Sequence, residues 1–353
     1  MKKFAGMLSL LTAAVMLLGI AAMPAAAESG SCGENLIWSF ENGVLTVSGE
    51  GGMTDYYSTS PGNMPPWIEL PVTSIIVEEG VTSLGVNAFA YFKEGDSVVS
   101  ISLPASLTEI GRGALGGRLG VISVDEGNEV FKIVGDCLIK NGSQIVLGCD
   151  TSVIPTDGSI LSIGYDAFSN CGGLTEIVLP DGIVTIADRA FADCKNLVSV
   201  TLPEGLKCIG QEAFAGCYNL NSINLPDGLE TIMYYAFSGC DSLESVTVPA
   251  SVKADSAYPF GYSARTTLKV YAFSFAHRSA EYFNYSFEII GTIGDFDDDG
   301  EITVSDALTA LRIAAKLVEP DEDALVTGDL DFDGRITVDD ALTLLRIAVG
   351  LVR

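Results

Sequence analysis

The chain has 353 residues and carries 46 Asp and Glu against 19 Lys and Arg, a net charge of −27. That acid excess argues against nucleic acid and against anionic membrane surfaces as partners, because like charges repel. The length predicts two or three domains, and eight cysteines pose a question of disulfides that depends on where the chain resides.

At the N-terminus, Lys2 and Lys3 precede an apolar run from Phe4 to Met23, then Pro24 and the small-residue site Ala25-Ala26-Ala27. This order predicts a secretory signal over residues 1–27, cleaved after Ala27. An uncleaved anchor is the competing reading, since a run of this length spans a bilayer. No later stretch is long and apolar enough to span, so a secreted chain without a direct membrane anchor is expected. Residues 28–71 lack the repeat that follows and are expected to form an N-terminal cap.

From residue 175 the chain reads in blocks of 23: TEIVLPDGIVTIADRAFADCKNL, VSVTLPEGLKCIGQEAFAGCYNL, NSINLPDGLETIMYYAFSGCDSL. An Ala-Phe pair recurs at Phe168, Phe191, Phe214 and Phe237. Cys171, Cys194, Cys217 and Cys240 follow three residues later, then Leu174, Leu197, Leu220 and Leu243, and Pro180, Pro203, Pro226 and Pro249. A fixed short period means a solenoid, in which units stack to share a core that none can bury alone. Each Ile-x-Leu-Pro segment predicts a short strand stopped by Pro. A second apolar stretch leads into Ala-Phe, which is expected to begin a helical turn. Like residues of stacked units should form columns with a spacing of about 4.8 Å.

Upstream the pattern is irregular: VTSIIVEEGVTSLGVNAF ends at Phe89, and VSISLPASLTEIGRGAL places Leu115 at the Phe position. Residues 121–154 break the period, and DCLIKNGSQIVLGCD predicts a β-hairpin turning at Asn141-Gly142. The period resumes at Ile160, and the aromatic-rich residues 262–290 are expected to cap the C-terminal end. The repeat domain thus spans 72–290. With four cysteines at one repeat position beside a core Phe, a column of buried thiols is expected; disulfides along the column, or a metal site, are the sharper alternative, and Cys137 and Cys149, which flank the hairpin, could form a separate bridge. Cys208 is expected in the core, and Cys32 is left unassigned.

These IxLPxxLxxI-xxAFxxCxxL blocks resemble the BspA-type leucine-rich repeats of bacterial surface and secreted proteins. The segment CGENLIWSFENGVLTVSGEGGMTDY and Pro65-Pro66-Trp67 resemble the module preceding such arrays. The resemblance implies a leucine-rich-repeat solenoid of α/β class and a role in binding proteins, surfaces or glycans. It carries no ligand residue.

The last sixty residues, 294–353, hold 15 Asp and Glu against 5 Lys and Arg. Two segments repeat at a spacing of 34: Asp295-Phe-Asp297-Asp-Asp299-Gly300-Glu301-Ile-Thr303-Val-Ser-Asp306, and Asp329-Leu-Asp331-Phe-Asp333-Gly334-Arg335-Ile-Thr337-Val-Asp-Asp340. Both fit a calcium loop with oxygen ligands at positions 1, 3, 5 and 12 and Gly at position 6. Calcium is a hard cation that takes six to eight oxygens, which alternating Asp residues supply. Glu301 and Arg335 would offer backbone carbonyls, and Thr303 and Thr337 would act directly or through water. Two Ca2+ ions are expected. Each loop runs into an apolar-patterned helix, ALTALRIAAKLV or ALTLLRIAVGLV, whose spacing predicts one buried stripe. No helix pattern precedes either loop, so each is half of a helix-loop-helix calcium hand.

This paired loop-helix arrangement over residues 291–353 resembles a type I dockerin, a small all-α module that binds cohesin domains on the scaffold proteins of cellulosomes. The resemblance places cohesin contacts at Val304, Ser305 and Arg312 in one copy and Val338, Asp339 and Arg346 in the other. It implies a non-catalytic component of a polysaccharide-degrading complex, extracellular or held at the cell surface through a scaffold. A carbohydrate-active hydrolase and a purely structural or regulatory subunit are the rival readings. A glycosidase needs two carboxylates across a cleft, yet the repeats account for nearly all of the remaining chain. The one histidine, His277, lacks a nucleophile motif nearby. A binding role predicts exposed aromatics on one face, with Tyr56, Tyr57 and Trp67, or Tyr234, Tyr235 and Tyr262, as candidates.

Overall fold

In a computed structural model of the chain, the described residues are 28–353 except 58–62, 91, 93–99, 116–119, 256–258, 262–264, 273, 298, 321–323, 325–326, 332–334 and 352–353. The expected leader (1–27), Tyr262 and Asp333 therefore lie outside the described residues.

The regular units build a solenoid from two columns of short parallel strands and one column of turns. The Ile-x-Leu-Pro segments supply Glu176–Val178, Ser199–Thr201 and Ser222–Ile223, paired in register so that Ile177, Val200 and Ile223 align. Pro then stops each strand, because it has no N–H to donate to the ladder. The second apolar stretches form Ser162–Ile163, Thr185–Ile186, Cys208–Ile209 and Thr231–Ile232, again parallel, with Ile163, Ile186, Ile209 and Ile232 buried.

The Ala-Phe segments depart from expectation: they are tight turns, and no helix occurs among the described residues of 72–267. The residue before each Ala is left-handed, with φ of 54° at Asp166, 58° at Arg189, 54° at Glu212 and 58° at Tyr235. Asn170, Asp193, Gly216 and Gly239, just before each Cys, are left-handed as well. A right-handed helix cannot pass through such residues. The freed donors are satisfied between units: the N–H groups of Phe168, Phe191 and Phe214 reach the carbonyls of Ala190, Ala213 and Ala236 at 2.7–2.8 Å.

The columns meet in one core. Phe168, Phe191, Phe214, Phe237 and Phe260 stack with ring centroids 5.2, 5.2, 5.4 and 5.3 Å apart and planes within 16° of parallel. Phe260 adds one unit to the four in the sequence pattern; its preceding Ala is replaced by Pro259, whose carbonyl still receives the Phe237 N–H. The four column cysteines are buried, and all eight cysteines are free thiols. Cys194, Cys217 and Cys240 donate to the carbonyls of Phe168, Phe191 and Phe214 at 3.0, 3.2 and 3.3 Å. The expected thiol column is present, and neither column bridges nor a Cys137–Cys149 bridge form. Cys208, expected in the core, is only half-buried.

Burial pushes the Cys240 thiol up to about 12 and Cys32 to about 11. At Cys149 burial works in the same direction, but hydrogen bonds with the Thr151 and Ser152 hydroxyls outweigh it and lower the pKa. Since the thiolate is the nucleophile, brief alkylation of the native protein at mildly alkaline pH should modify Cys149 first. The column thiols should react only after unfolding. Peptide mass mapping that finds Cys171, Cys194, Cys217 and Cys240 labelled as fast as Cys149 would contradict this burial pattern.

At the N-terminal end, Glu28–Ser31, Leu36–Glu41 and Val44–Gly49 form an antiparallel meander. Its last strand pairs in parallel with Ser74–Val77, which continues to Ser100–Leu103 and Val121–Val124. The cap and the first coil therefore share a sheet across the expected boundary at residue 71. Trp67 is fully buried, donates its indole N–H to the Ala88 carbonyl at 2.9 Å and meets Trp38 and Tyr56 edge-on. The expected exposed aromatic group is thus corrected: Tyr56 and Trp67 are core and Tyr57 is exposed.

The irregular residues 121–154 contain the expected hairpin, Cys137–Lys140 against Gln144–Leu147, turning at Asn141 and Gly142 with φ of 52° and 68°. A second hairpin joins Phe131–Val134 to Cys137–Lys140 through Gly135-Asp136, also left-handed at both residues. The buried Asn128 holds the approach: its amide donates to Pro104 and Leu107 carbonyls and its oxygen accepts from Val130 and Phe131 N–H. At the far end, helix α1 (Phe275–Phe283) links the parallel strands Thr267–Ala272 and Ser286–Thr292, with Ala276 and Ala280 buried. The expected cap at 262–290 is thus a strand–helix–strand unit continuing the sheet of Ser245–Thr247.

Candidate metal centres

After the last strand the chain enters the first acidic loop. Carboxylate oxygens of Asp295, Asp297 and Asp299 lie within 4.8 Å of one another. Asp295 is buried while Asp297 and Asp299 are exposed. The two Asp295 oxygens accept from the Asp299 N–H at 3.2 Å and the Gly300 N–H at 2.8 Å. Gly300 has φ of 88°, the left-handed turn that brings its N–H inward. Partial desolvation, then the charges of Asp299, Asp306 and Asp295, hold the Asp297 carboxyl above its usual range.

The second loop groups Asp329, Asp331 and Asp340 within 4.8 Å, with Asp329 and Asp340 buried. Its position-12 Asp joins the group, whereas Asp306 in the first loop does not. Both position-12 residues brace the loop. Asp306 accepts from Phe296 N–H at 2.8 Å and from Thr303 N–H at 2.8 Å. Asp340 accepts from Leu330 N–H at 2.9 Å and Thr337 N–H at 2.7 Å.

Thr303 and Thr337, expected near the ion, are committed elsewhere. Each caps the following helix by accepting from the N–H of Ser305 or Asp339, and each donates its hydroxyl to Asp306 or Asp340 at 3.0 or 2.9 Å. Glu301 and Arg335 have exposed side chains, in keeping with a backbone-only part. The donor set in each loop is hard oxygen, three carboxylates in close range, with one of the three buried in the first loop and two in the second; these residues fit a hard divalent cation such as Ca2+.

The loops lead into α2 (Val304–Ala314) and α3 (Val338–Ala348), which pack on each other. Their core is Ala307, Ala310, Ile313, Ile336, Ala341 and Leu344. The one buried stripe that the apolar spacing predicted is present, and each helix carries a second, exposed apolar stripe beside it. The inner stripe is mostly Ala. The outer stripe, at i, i+4 and i+7, leaves Val304, Leu308 and Leu311 exposed on α2 and Val338, Leu342 and Leu345 on α3. Ser305, Asp339, Arg312 and Arg346 are exposed on the same helices. The four outer Leu residues were missed in the sequence, although ALTALRI holds more apolar residues than one stripe needs.

His277 lies on α1, edge-on to Phe287 at 5.1 Å and 3.7 Å from Glu281. Among the described residues no helix is long and apolar enough to cross a membrane.

The family model for the BspA type leucine rich repeat region matches six copies, over residues 69–154 and 142–267. Among solved structures, a leucine rich cell surface protein from Faecalibacterium prausnitzii is 17% identical, with 72% of this chain and 97% of that chain covered and a TM-score of 0.49. The pneumococcal vaccine antigen PcpA is 14% identical, covering 73% of this chain and 98% of its own, with a TM-score of 0.43. A leucine rich repeat protein from T. pallidum is 24% identical over 58% of this chain and 86% of that one, with a TM-score of 0.30. No curated protein matches the chain.

Proposed function

This chain belongs to the BspA-type leucine-rich repeat family, and from that premise we propose that it is a non-catalytic secreted binding protein whose C-terminal residues 291–353 are a type I dockerin. In this reading the repeats bind a protein, surface or glycan. The dockerin plugs into a cohesin domain of a scaffold protein, which holds the chain in an extracellular, polysaccharide-degrading complex.

The observation that carries the docking reading is a duplication. Two carboxylate clusters, 34 residues apart, each open onto a Thr-capped helix with the same exposed apolar ridge. Bound Ca2+ would supply charge neutralisation and a cross-link between carboxylates. Asp295, Asp297 and Asp299, with Asp306 bracing them, would hold the first ion; Asp329, Asp331 and Asp340 would hold the second. Once each loop is closed, its cap sets the angle at which the helix leaves. Val304, Leu308 and Leu311, or Val338, Leu342 and Leu345, then form an apolar strip beside Arg312 or Arg346. Such a strip, apolar at the centre and polar at the rim, has the composition of a protein interface. Because the copies match, either helix can serve as the contact face.

The test is binding of the whole secreted chain to purified type I cohesins, with calcium and with chelator. Binding in calcium that is lost on chelation supports the reading. Leu311→Asp or Leu345→Asp alone should leave binding intact, and the two together should abolish it. Binding indifferent to chelator or to the double substitution would overturn it.

A further inference from the structure

The left-handed turn column continues upstream of the regular units through Asn87 and Gly113, with φ of 55° and 63°. Along this column runs a solvent-open trough of about 570 Å3 lined by Tyr57, Asn87, Arg112, Tyr165, Asp188 and Gln211, together with Arg189 and Glu212. It runs from the cap turn at Tyr57 to the coil of Gln211, and its volume falls within the ~300–1,000 Å3 of ordinary ligand sites.

Its charges are already matched. Arg112 Nη2 pairs with Asp188 Oδ2 at 2.9 Å, and Arg189 bridges Asp166 Oδ1 at 3.1 Å and Glu212 Oε2 at 2.8 Å. The Arg112 guanidinium also lies over the Tyr165 ring, 4.4 Å from its centroid. The other Asp188 oxygen accepts from the Gln211 N–H at 2.9 Å. Two guanidinium groups face two lining carboxylates, and Asp166 adds a third beside Arg189, so no positive excess is left to recruit an anion. It does hold planar, multivalent hydrogen-bonding groups in fixed positions, pinned by their own pairing. Arg112 keeps 64% of its side-chain surface exposed and Asp188 33%, so both retain free donors and acceptors. Exposed Tyr57 and Tyr234 add ring surface, the latter at the same repeat position as Tyr165, Asp188 and Gln211 but one coil further on.

We propose that this trough is a glycan-binding site that takes a segment of a neutral, hydroxyl-rich polysaccharide laid along the solenoid axis. Vicinal hydroxyls exchange hydrogen bonds with Arg112, Asp188, Asn87 and Gln211, and sugar faces lie on the tyrosine rings. A solvent-open site lined by residues of several stacked coils suits a chain segment, where a closed pocket suits a single sugar. This inference rests on the binding role proposed for the repeats and names its ligand class; it does not rest on the docking helices.

The experiment is calorimetric titration of the whole secreted chain in calcium with cellohexaose, xylohexaose and mannohexaose, with a galacturonate hexamer as the acidic comparator. At least one neutral oligosaccharide should bind, and Arg112→Ala or Gln211→Ala should weaken it about tenfold, since each removes hydrogen bonds to polar or charged groups. Tyr218→Ala, an exposed tyrosine away from the trough, should leave binding unchanged. Thermal melting of each variant, run alongside, separates lost binding from lost fold. No binding of any neutral probe, binding of the acidic probe alone, or unchanged affinity in the Arg112→Ala/Gln211→Ala double variant would overturn the inference. A protein ligand captured by the repeats with no glycan bound would sink the inference and leave the binding role standing.

Discussion

Replacing Phe214 with alanine should lower the unfolding free energy of the repeat domain by about 3–5 kcal/mol, the cost of emptying a large aromatic site that cannot collapse. Phe214 has no exposed surface and lies between Phe191 and Phe237, stacked at 5.2 and 5.4 Å with planes 3° and 2° from parallel. Its own backbone is held by the Ala236 carbonyl, and its carbonyl accepts the Cys240 thiol. The turn cannot fold inward to fill the space, so the cavity persists. In a solenoid each unit is stabilised by its neighbours, so the loss is felt by the units on both sides and the denaturant transition should broaden as well as shift. Tyr282, 82% exposed on α1, supplies the comparison: Tyr282→Ala should change stability by no more than about 0.5 kcal/mol. A Phe214→Ala variant that melts like the parent would show that the stacked column does not hold the core.

Removing calcium should unfold residues 291–353 and leave the repeats intact. Among the described residues the fully buried apolar core there is six residues, three of them Ala, with Phe296, Ile302, Ala324 and Leu330 partly buried against it. So small a core offers little to offset chain entropy. Against it stand four buried carboxylates, Asp295, Asp306, Asp329 and Asp340, in loops crowded with further Asp. Buried like charges are costly unless a cation or donors compensate. Binding at a free ion concentration about a hundredfold above the dissociation constant adds about 2.7 kcal/mol per site to the folded state. Chelator should therefore abolish the helical circular dichroism of α2 and α3 and the low-temperature calorimetric transition, with the repeat transition unmoved. Asp295→Ala combined with Asp329→Ala should reproduce the chelated state in the presence of calcium, and cohesin binding should go with it. Helical signal unchanged by chelator would rule out a metal-dependent fold for this segment.

Much of this architecture is legible along the chain because its cause is local. A 23-residue period, Pro after each first strand, Asn141-Gly142 in the hairpin and alternating Asp before each C-terminal helix all act over a few residues. They determined the solenoid, the Phe and Cys columns, the hairpin and the two acidic loops. Other features were decided only when coils stacked. Whether Ala-Phe becomes a helix or a turn depends on a left-handed residue at Arg189 or Glu212, a conformation stabilised by bonds to the next coil and carried by no Gly signal. Trp67 reads as an exposed aromatic until Ala88, twenty-one residues on, accepts its N–H inside the core. Cys208 reads as core until its strand leaves it half-covered. On α2 and α3, Leu and Ala compete for the inside, and the close approach of two helices admits the small residue and turns Leu308, Leu311, Leu342 and Leu345 outward. The trough joins Tyr57 to Gln211 across more than 150 positions of sequence, and only the stacking of coils brings such residues to one surface.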